Sequence, residues 1–185
     1  MKNSFLVILT LVGIQQINAQ FTRRDSLQGG LRIERTSYDV KRYDLNITIN
    51  PEQKSIKGFN EISFEVMVPT QKIQLDLFDN MKVDSIVWNT KKLKYNRDND
   101  AVFIDFPEKL ASKSNHKLKF YYSGNPRIAR NAPWDGGFVF SKDKAGKDFI
   151  AVAVQGTGAS LWYPVKDSQT DEPDNGASIK VAVPN

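Results

Sequence analysis

The stretch Tyr38-Asp-Val-Lys-Arg-Tyr-Asp-Leu-Asn-Ile-Thr-Ile49 decides the fold class. From Tyr43 to Ile49, apolar and polar residues alternate strictly. A strand points successive side chains to opposite faces, so this period of two predicts a half-buried β-strand. Residues 50–54 have the composition of a turn, and residues 55–68 form a second alternating stretch. Together they predict a long antiparallel hairpin.

Short alternating stretches continue along the chain, separated by polar turns. They predict further strands at residues 72–78, 83–88, 93–95, 101–106, 116–122, 137–141, 148–155 and 178–183. Residues 107–114 are predicted to form a loop, and Trp134 is predicted to be a buried residue of another loop. No amphipathic helix of ten residues is evident after residue 19. The pattern predicts an all-β fold, either an antiparallel β-sandwich or a large curved sheet.

The composition excludes several kinds of site. The chain of 185 residues fits one domain, and it has no cysteine and one histidine. A zinc site needs three or four His, Cys or carboxylate ligands, so a closed zinc site is not expected here. His116 is predicted to be an exposed loop residue. The formal net charge of +5 is small and scattered, and we therefore expect no nucleic-acid binding.

The N-terminal residues 1–19 have the pattern of a secretory signal peptide. Lys2 is followed by ten apolar residues, 5–14, and Ala19 supplies a small residue for cleavage. The apolar run is too short to span a membrane, so no transmembrane segment is expected after cleavage. The pattern predicts an exported protein, periplasmic or extracellular. Residues 20–36 are polar and predict a flexible lead-in, part of which can form a short helix.

A second stretch, Ile150-Ala-Val-Ala-Val-Gln-Gly-Thr-Gly-Ala-Ser-Leu-Trp-Tyr-Pro164, contains the candidate binding residues. Its β-branched start predicts a buried strand, and Gln155 then interrupts the apolar run. Gly156 and Gly158 allow a tight turn or a close approach of another group. Two interpretations follow from the residues alone: a β-bulge with the amide bonded to a neighbouring loop, or a site that receives the polar end of a ligand.

An acidic loop follows Pro164. Asp167, Asp171, Glu172 and Asp174 could supply oxygen ligands to a hard cation. Their spacing differs from that of a 12-residue calcium loop, which favours a solvated loop, and no metal site is predicted.

Five motifs in order resemble one known family. From residue 38 to residue 185 the chain is similar to the N-terminal β domain of the zinc metallopeptidases related to aminopeptidase N and leukotriene hydrolase, in the style of those from Bacteroidetes-type bacteria. The motifs are Tyr38-Asp-Val-Lys-Arg-Tyr-Asp-Leu-Asn-Ile-Thr-Ile49, Ile73-Gln-Leu-Asp-Leu77, Gly137-Phe-Val-Phe-Ser141, Gln155-Gly-Thr-Gly-Ala-Ser-Leu-Trp-Tyr-Pro164 and Asp171-Glu-Pro-Asp174. The resemblance implies that residues 37–185 form this domain.

The resemblance also implies a role for the second stretch. Gln155, with backbone groups of Gly156 and Thr157, would help to bind the free α-amino group of a peptide substrate. A glutamine at this position resembles the leukotriene-hydrolase branch. The catalytic domain and its zinc would follow Asn185. The sequence contains no H-E-x-x-H motif, so we expect no cofactor in this chain and no activity from it alone.

Two hypotheses of function follow. The first is the substrate-capping N-terminal domain of an exported zinc metallo-aminopeptidase. The second is a stand-alone, non-catalytic, exported β-sandwich that binds a sugar or peptide on an aromatic platform of Trp134, Trp162 and Tyr163.

Overall fold

The first hairpin forms as its alternation predicts. The computed structural model describes residues 21–184, so the predicted signal peptide lies outside the described residues. Strands β1 (Tyr38–Asn50) and β2 (Ser55–Val66) pair antiparallel from end to end. The side chains of Leu45 and Ile47 are buried, whereas those of the intervening polar residues are partly exposed.

The other strands extend this hairpin into a sandwich. They are β3 (Thr70–Asp76), β4 (Met81–Trp88), β5 (Lys91–Lys92), β6 (Lys94–Asp98), β7 (Ala101–Leu110), β8 (Asn115–Gly124), β9 (Gly137–Lys142), β10 (Asp148–Ala153) and β11 (Ala177–Ala182). Within residues 21–184 they form a six-stranded sheet in the order β11-β1-β2-β8-β4-β5, a three-stranded sheet β3-β7-β6 and the hairpin β9-β10. The predicted all-β, sandwich-like fold is confirmed.

Aromatic side chains hold the two larger sheets together. The Trp88 ring in β4 meets the Phe106 ring in β7 edge-on, with centroids 5.4 Å apart. Phe64 in β2 lies 6.2 Å from the same Phe106 ring and 5.5 Å from Tyr38. All four side chains belong to one buried core that draws residues from both sheets. Each of these rings buries a large apolar area, so together they contribute substantially to the hydrophobic free energy of the fold.

The prediction of an exposed loop at His116 is wrong. His116 lies in β8, and its ring is 5.7 Å from the centroids of both Phe64 and Trp88. It is half-buried, and burial lowers its pKa below the usual value for histidine. One imidazole nitrogen still forms a 2.8 Å hydrogen bond with the Ser114 hydroxyl. The His116 side chain therefore packs at the edge of the hydrophobic core.

The prediction for Trp134 is also wrong, and that for residues 107–114 holds only in its second half. Trp134 is predicted to be buried, yet 76% of its surface is exposed. The predicted loop is strand as far as Leu110, because β7 continues through Pro107, and residues 111–114 form the turn before β8.

Two short helices cover one side of the three-stranded sheet. Residues 20–36 were expected to be a flexible lead-in; in the described part, α1 (Arg23–Gly29) and α2 (Ile33–Thr36) pack on β7 and β3. Thr22 caps α1 through a reciprocal pair of hydrogen bonds with Asp25. Leu27 in α1 and Arg35 in α2 are buried. No helix in the described part of the chain is long and apolar enough to cross a membrane.

The last strand leaves an apolar row uncovered. Strand β11 pairs parallel with β1, placing Ile179 beside Leu45 and Val181 beside Ile47, on the face that elsewhere is core. Ser178 confirms this orientation, because its hydroxyl donates to Asp44 on the opposite face. Ile179, Val181 and Val183 are nevertheless more than half exposed. We call these three residues the β11 apolar row, although Val183 lies just past the end of the strand.

Candidate functional site

The candidate binding residues lie in a tight turn just beyond β10. Pairing between β10 and β9 ends at Ala153, so residues 154–158 form a turn outside the ladder and not a bulge within it. The carbonyl of Val154 accepts hydrogen bonds from the amides of Thr157 and Gly158, at 3.1 and 3.0 Å. Gly156 and Gly158 have φ angles of 69° and 80°, which side-chain-bearing residues rarely adopt. We call residues 154–158 the glycine turn.

Gln155 occupies the exposed tip of this turn. Its side chain is exposed and makes no hydrogen bond with any residue between 21 and 184. The interpretation in which the amide bonds to a neighbouring loop therefore finds no partner among the described residues. Free Oε1 and Nε2 atoms leave one acceptor and one donor available to a ligand.

Gly156 and Thr157 differ in how firmly they are held. Gly156 is exposed, and a Cβ atom at its position would meet no other atom within 4 Å. Thr157 is half-buried, and its hydroxyl donates to the Val154 carbonyl at 3.1 Å. Its side chain also packs on Gly136, where a Cβ atom would overlap it. The glycine turn is thus fixed at Thr157 and open at Gln155 and Gly156.

The chain after the turn is pinned by a carboxylate. A short 3-10 turn, Ala159–Leu161, buries Leu161 in the core. Asp167 Oδ2 accepts hydrogen bonds from the Ser160 amide at 3.0 Å and the Ser160 hydroxyl at 2.6 Å. The backbone of Gly158 lies against the same carboxylate, and a Cβ atom there would overlap it. Glycine at residue 158 is therefore required both for the φ angle and for space.

A pocket of about 730 Å³ opens beside the glycine turn. One side is formed by the turn, and another by residues 167–170 of the acidic loop. Gln28 and Leu31, from the N-terminal helical segment, line a third side. The lining mixes polar side chains with apolar and glycine surface, so the pocket offers both hydrogen bonds and apolar contact.

The acidic loop forms ion pairs instead of a cation site. Asp171 pairs with Lys166, and both side chains are more than 90% buried. The solvated-loop prediction is therefore wrong for Asp171. Asp174, which is largely exposed, pairs with Lys41 at 2.7 Å. Among residues 21–184 there is no group of three His, Cys, Asp or Glu side chains placed to hold a metal ion.

The three aromatic residues of the alternative hypothesis differ in burial, because Trp134 is mostly exposed whereas Trp162 and Tyr163 are partly buried. Trp162 and Tyr163 contact each other with centroids 4.8 Å apart, and both are partly buried against the core. The Trp162 ring also meets Phe138 at 5.9 Å. No aromatic contact within the described residues joins them to Trp134.

Charged residues that the sequence did not single out lie behind the site. Arg35 and Asp76 form a buried ion pair, 2.7 Å between Nη1 and Oδ2, and both contact the backbone of Asp167. Burial raises the pKa of Asp76 to about 6, although Arg35 opposes the shift. In the sequence, Asp76 is one of the two polar positions of the alternating motif Ile73-Gln-Leu-Asp-Leu77. Such alternation suggests a face exposed to solvent and gives no sign of a buried ion pair.

Solved structures with the same fold are zinc metallopeptidases and leukotriene A4 hydrolases. A mutant M1 zinc metallopeptidase from Deinococcus radiodurans, bound to a Tyr-Ser-Ala substrate, superposes with a TM-score of 0.61 at 20% identity; the match covers 80% of this chain and 33% of that one. Native leukotriene A4 hydrolase from Saccharomyces cerevisiae gives 0.62 at 15% identity, covering 80% and 24%. This chain thus spans about a third or a quarter of the length of these proteins. No curated protein sequence matches it.

Family membership is shown by sequence. The model of the Peptidase M1 N-terminal domain matches residues 39–184, which begin at the second residue of β1 and include all the other strands, the glycine turn and the acidic loop. The chain belongs to the M1 peptidase family and forms its N-terminal domain.

Proposed function

We propose that this chain is the substrate-capping domain of an exported zinc metallo-aminopeptidase, and that the glycine turn binds the free amino end of a peptide. The observation that carries the proposal is the state of Gln155, which is exposed and unbonded among the described residues at the tip of a firmly held turn. Because the backbone is already fixed, the conformational entropy lost on binding a ligand group is confined to the Gln155 side chain.

The chemistry of the turn suits an ammonium group. Gln155 Oε1 can accept a hydrogen bond from it, and the carbonyls of Gln155 and Gly156 make no hydrogen bond within residues 21–184 and can add further acceptors. The Thr157 hydroxyl donates to Val154 but keeps its lone pairs. A neutral amide holds a cation less strongly than a carboxylate would. We therefore expect modest selectivity for unblocked peptides.

Catalysis is assigned to a partner domain. The described residues offer no cluster of ligands that fits a zinc ion. The M1 family consists of zinc enzymes whose solved chains are three to four times longer than this match. Zinc and the groups that attack the peptide bond would lie in that catalytic domain.

The β11 apolar row is the surface proposed for the partner. Parallel strands are normally covered on both faces, and this one is bare on its core side. The row prolongs the buried face of β1, so a packed domain would continue the hydrophobic core across the edge of the sheet.

Export completes the proposal and rests on the pattern of residues 1–19 alone. N-terminal sequencing of the mature protein from the producing cell would test it, with a start at Gln20 expected. A mature chain that retains Met1 or Lys2 would contradict export by this route.

The central experiment begins with the genome. We expect the reading frame to continue past Asn185 into a metallopeptidase domain with an H-E-x-x-H motif, and the complete protein to release the first residue of unblocked peptides. The variant Gln155→Ala should raise KM about tenfold for an unblocked substrate, and Gln155→Glu should lower it because a carboxylate binds ammonium more tightly. A frame that stops after Asn185, with no metallopeptidase encoded nearby, would refute the proposal.

A further inference from the structure

The glycine turn is fastened from behind by one side chain. The Asp167 carboxylate binds the Ser160 amide and hydroxyl and lies against Gly158. The Gly158 amide in turn donates to Val154, which also holds Thr157. If the Asp167 carboxylate moved, we would therefore expect the backbone on either side of Gln155 to move with it.

Asp167 is itself held by a buried ion pair. Its amide donates to Asp76 Oδ2 at 3.1 Å, and its carbonyl accepts from Arg35 Nη2 at 2.6 Å. Arg35 and Asp76 bind each other as well, and their side chains are 3% and 0% exposed. Both backbone polar groups of Asp167 are thus clamped by a charged pair that excludes water, where such hydrogen bonds are strongest.

The arginine of this pair comes from outside the family match. Residues 22–37 precede the matched region, residues 39–184, and contain α1 and α2. Arg23 and Arg24 of α1 pair with Asp98 and Asp100, which fastens the segment to the three-stranded sheet. An element beyond the family domain therefore reaches the proposed substrate site.

We propose that Asp167 is a positioning residue for the glycine turn, and that Arg35 of the N-terminal segment sets the place of Asp167. The segment would be part of the site: it anchors the turn through Arg35 and walls the adjacent pocket with Gln28 and Leu31. An effect of Asp167 on substrate binding rests on the proposed function. Its effect on the position of the glycine turn depends on this chain alone.

Amide hydrogen exchange tests the positioning in the chain as it stands. The reporters are the amides of Thr157 and Gly158, which bind Val154 and not Asp167. In Asp167→Ala both should exchange about tenfold faster, while amides of β8 keep their rates. Asp167→Asn keeps the volume of the side chain and should give a smaller increase. Unchanged rates at Thr157 and Gly158, within twofold in both variants, would overturn the proposal.

A second pair of variants tests the contribution of Arg35. Removing Arg35 alone would strand a buried carboxylate, so Arg35→Met is combined with Asp76→Asn, which can still accept from the Asp167 amide. Exchange at the two reporters should rise at least threefold. The control is Arg23→Met, which breaks an exposed pair of the same segment and should leave both rates within twofold. Equal effects of the two would show that Arg35 has no special role.

Kinetics of the complete metallopeptidase separate positioning from general destabilisation. Asp167→Asn should raise KM for an amino-acid 4-nitroanilide about tenfold and keep kcat within threefold. A lower kcat at unchanged KM would indicate a loss of folded enzyme and would overturn the positioning role. An unsubstituted protein that cleaves no such substrate would instead refute the proposed function, and the exchange experiment would still decide the role of Asp167.

Discussion

Arg35 Nη1 lies 2.7 Å from Asp76 Oδ2 in an ion pair that is almost wholly shielded from water. Gln74 Nε2 also donates to Asp76, at 2.7 Å. Despite these partners, burial raises the pKa of Asp76 to about 6. Desolvation of the carboxylate thus outweighs its hydrogen bonds, as is common for buried ion pairs.

The raised pKa predicts a specific dependence of stability on pH. Because Asp76 binds its proton more tightly in the folded state, its contribution to stability is fully present below about pH 4 and is lost as pH rises through about 6. A shift of about two units corresponds to about 3 kcal/mol. The unfolding free energy of the wild type, minus that of Asp76→Asn, should fall by about this amount between pH 4 and 7 in urea titrations. A difference that rises with pH would show that attraction to Arg35 dominates.

The second buried pair, Lys166 with Asp171, predicts a large cost for removing one partner. Lys166→Met leaves the Asp171 carboxylate buried and should lower the unfolding free energy by about 3–5 kcal/mol. Adding Asp171→Asn, which keeps an acceptor for the amide of Val40, should recover most of the loss.

The matched control for this pair is exposed. Lys72 and Asp105 lie 3.1 Å apart with nearly half of each side chain in solvent, so Lys72→Met should cost less than about 1 kcal/mol. Equal losses for Lys72→Met and Lys166→Met in denaturant titrations would contradict the assignment of Lys166 to a buried pair.

The alternation of apolar and polar residues predicted the strands, but it did not predict that α1 and α2 cover the polar face of β3. Gln74 and Asp76 alternate with core residues of β3, so the sequence pattern suggests that they face solvent. Both are fully buried, because α1 and α2 lie over that face and Arg32 and Arg35 supply the partners. A contact between residues 40 positions apart leaves no trace in a window of ten residues.

The ends of strands were also hard to predict from the sequence, as the region around Pro107 illustrates. Residues 107–114 are predicted to form a loop, and proline has no amide hydrogen to give to a ladder. In β7, however, pairing with β6 ends at Asp105, and the ladder with β3 is irregular between Asp105 and Leu110. Pro107 occupies the interval in which no partner needs its amide.

The residue types of the candidate site indicated its position in the sequence. They did not indicate the side chains that hold the turn in place. Gln155, Gly156 and Thr157 lie together in one turn, as their adjacency requires. For Asp167 the sequence indicates a solvated loop or, as the less favoured alternative, a cation ligand, because no local pattern links it to Ser160. Its role behind Gly158 depends on the fold that returns residues 164–167 to β3.

The two glycines of the turn should respond differently to alanine. Gly156 has a φ of 69° and open space around it, so Gly156→Ala should cost about 1 kcal/mol of unfolding free energy. Gly158 adds an overlap with Asp167 to the same backbone strain, and Gly158→Ala should cost about 3 kcal/mol or more. Urea denaturation of both variants measures the difference. Equal costs would show that Asp167 can move away freely, which contradicts its clamped backbone.

A substitution in the β11 apolar row should affect docking of the partner domain but not folding of this chain. Val181 is 51% exposed in this chain, so Val181→Lys should change its unfolding free energy by no more than about 0.5 kcal/mol. In the complete metallopeptidase the same lysine would be buried against the partner domain without a counter-charge, and should cost several kcal/mol. Calorimetry should then show this domain unfolding separately from the catalytic domain.

The control for the row lies on the opposite face of the same sheet edge. Thr48 in β1 is exposed and pairs with Ala182, so Thr48→Lys adds the same charge one position away on the outer face. It should leave both the chain and the complete enzyme unchanged. If Val181→Lys and Thr48→Lys act alike in the complete enzyme, the row faces solvent there, and the partner domain must pack elsewhere. If Val181→Lys already unfolds this chain, Val181 belongs to the core of the domain itself.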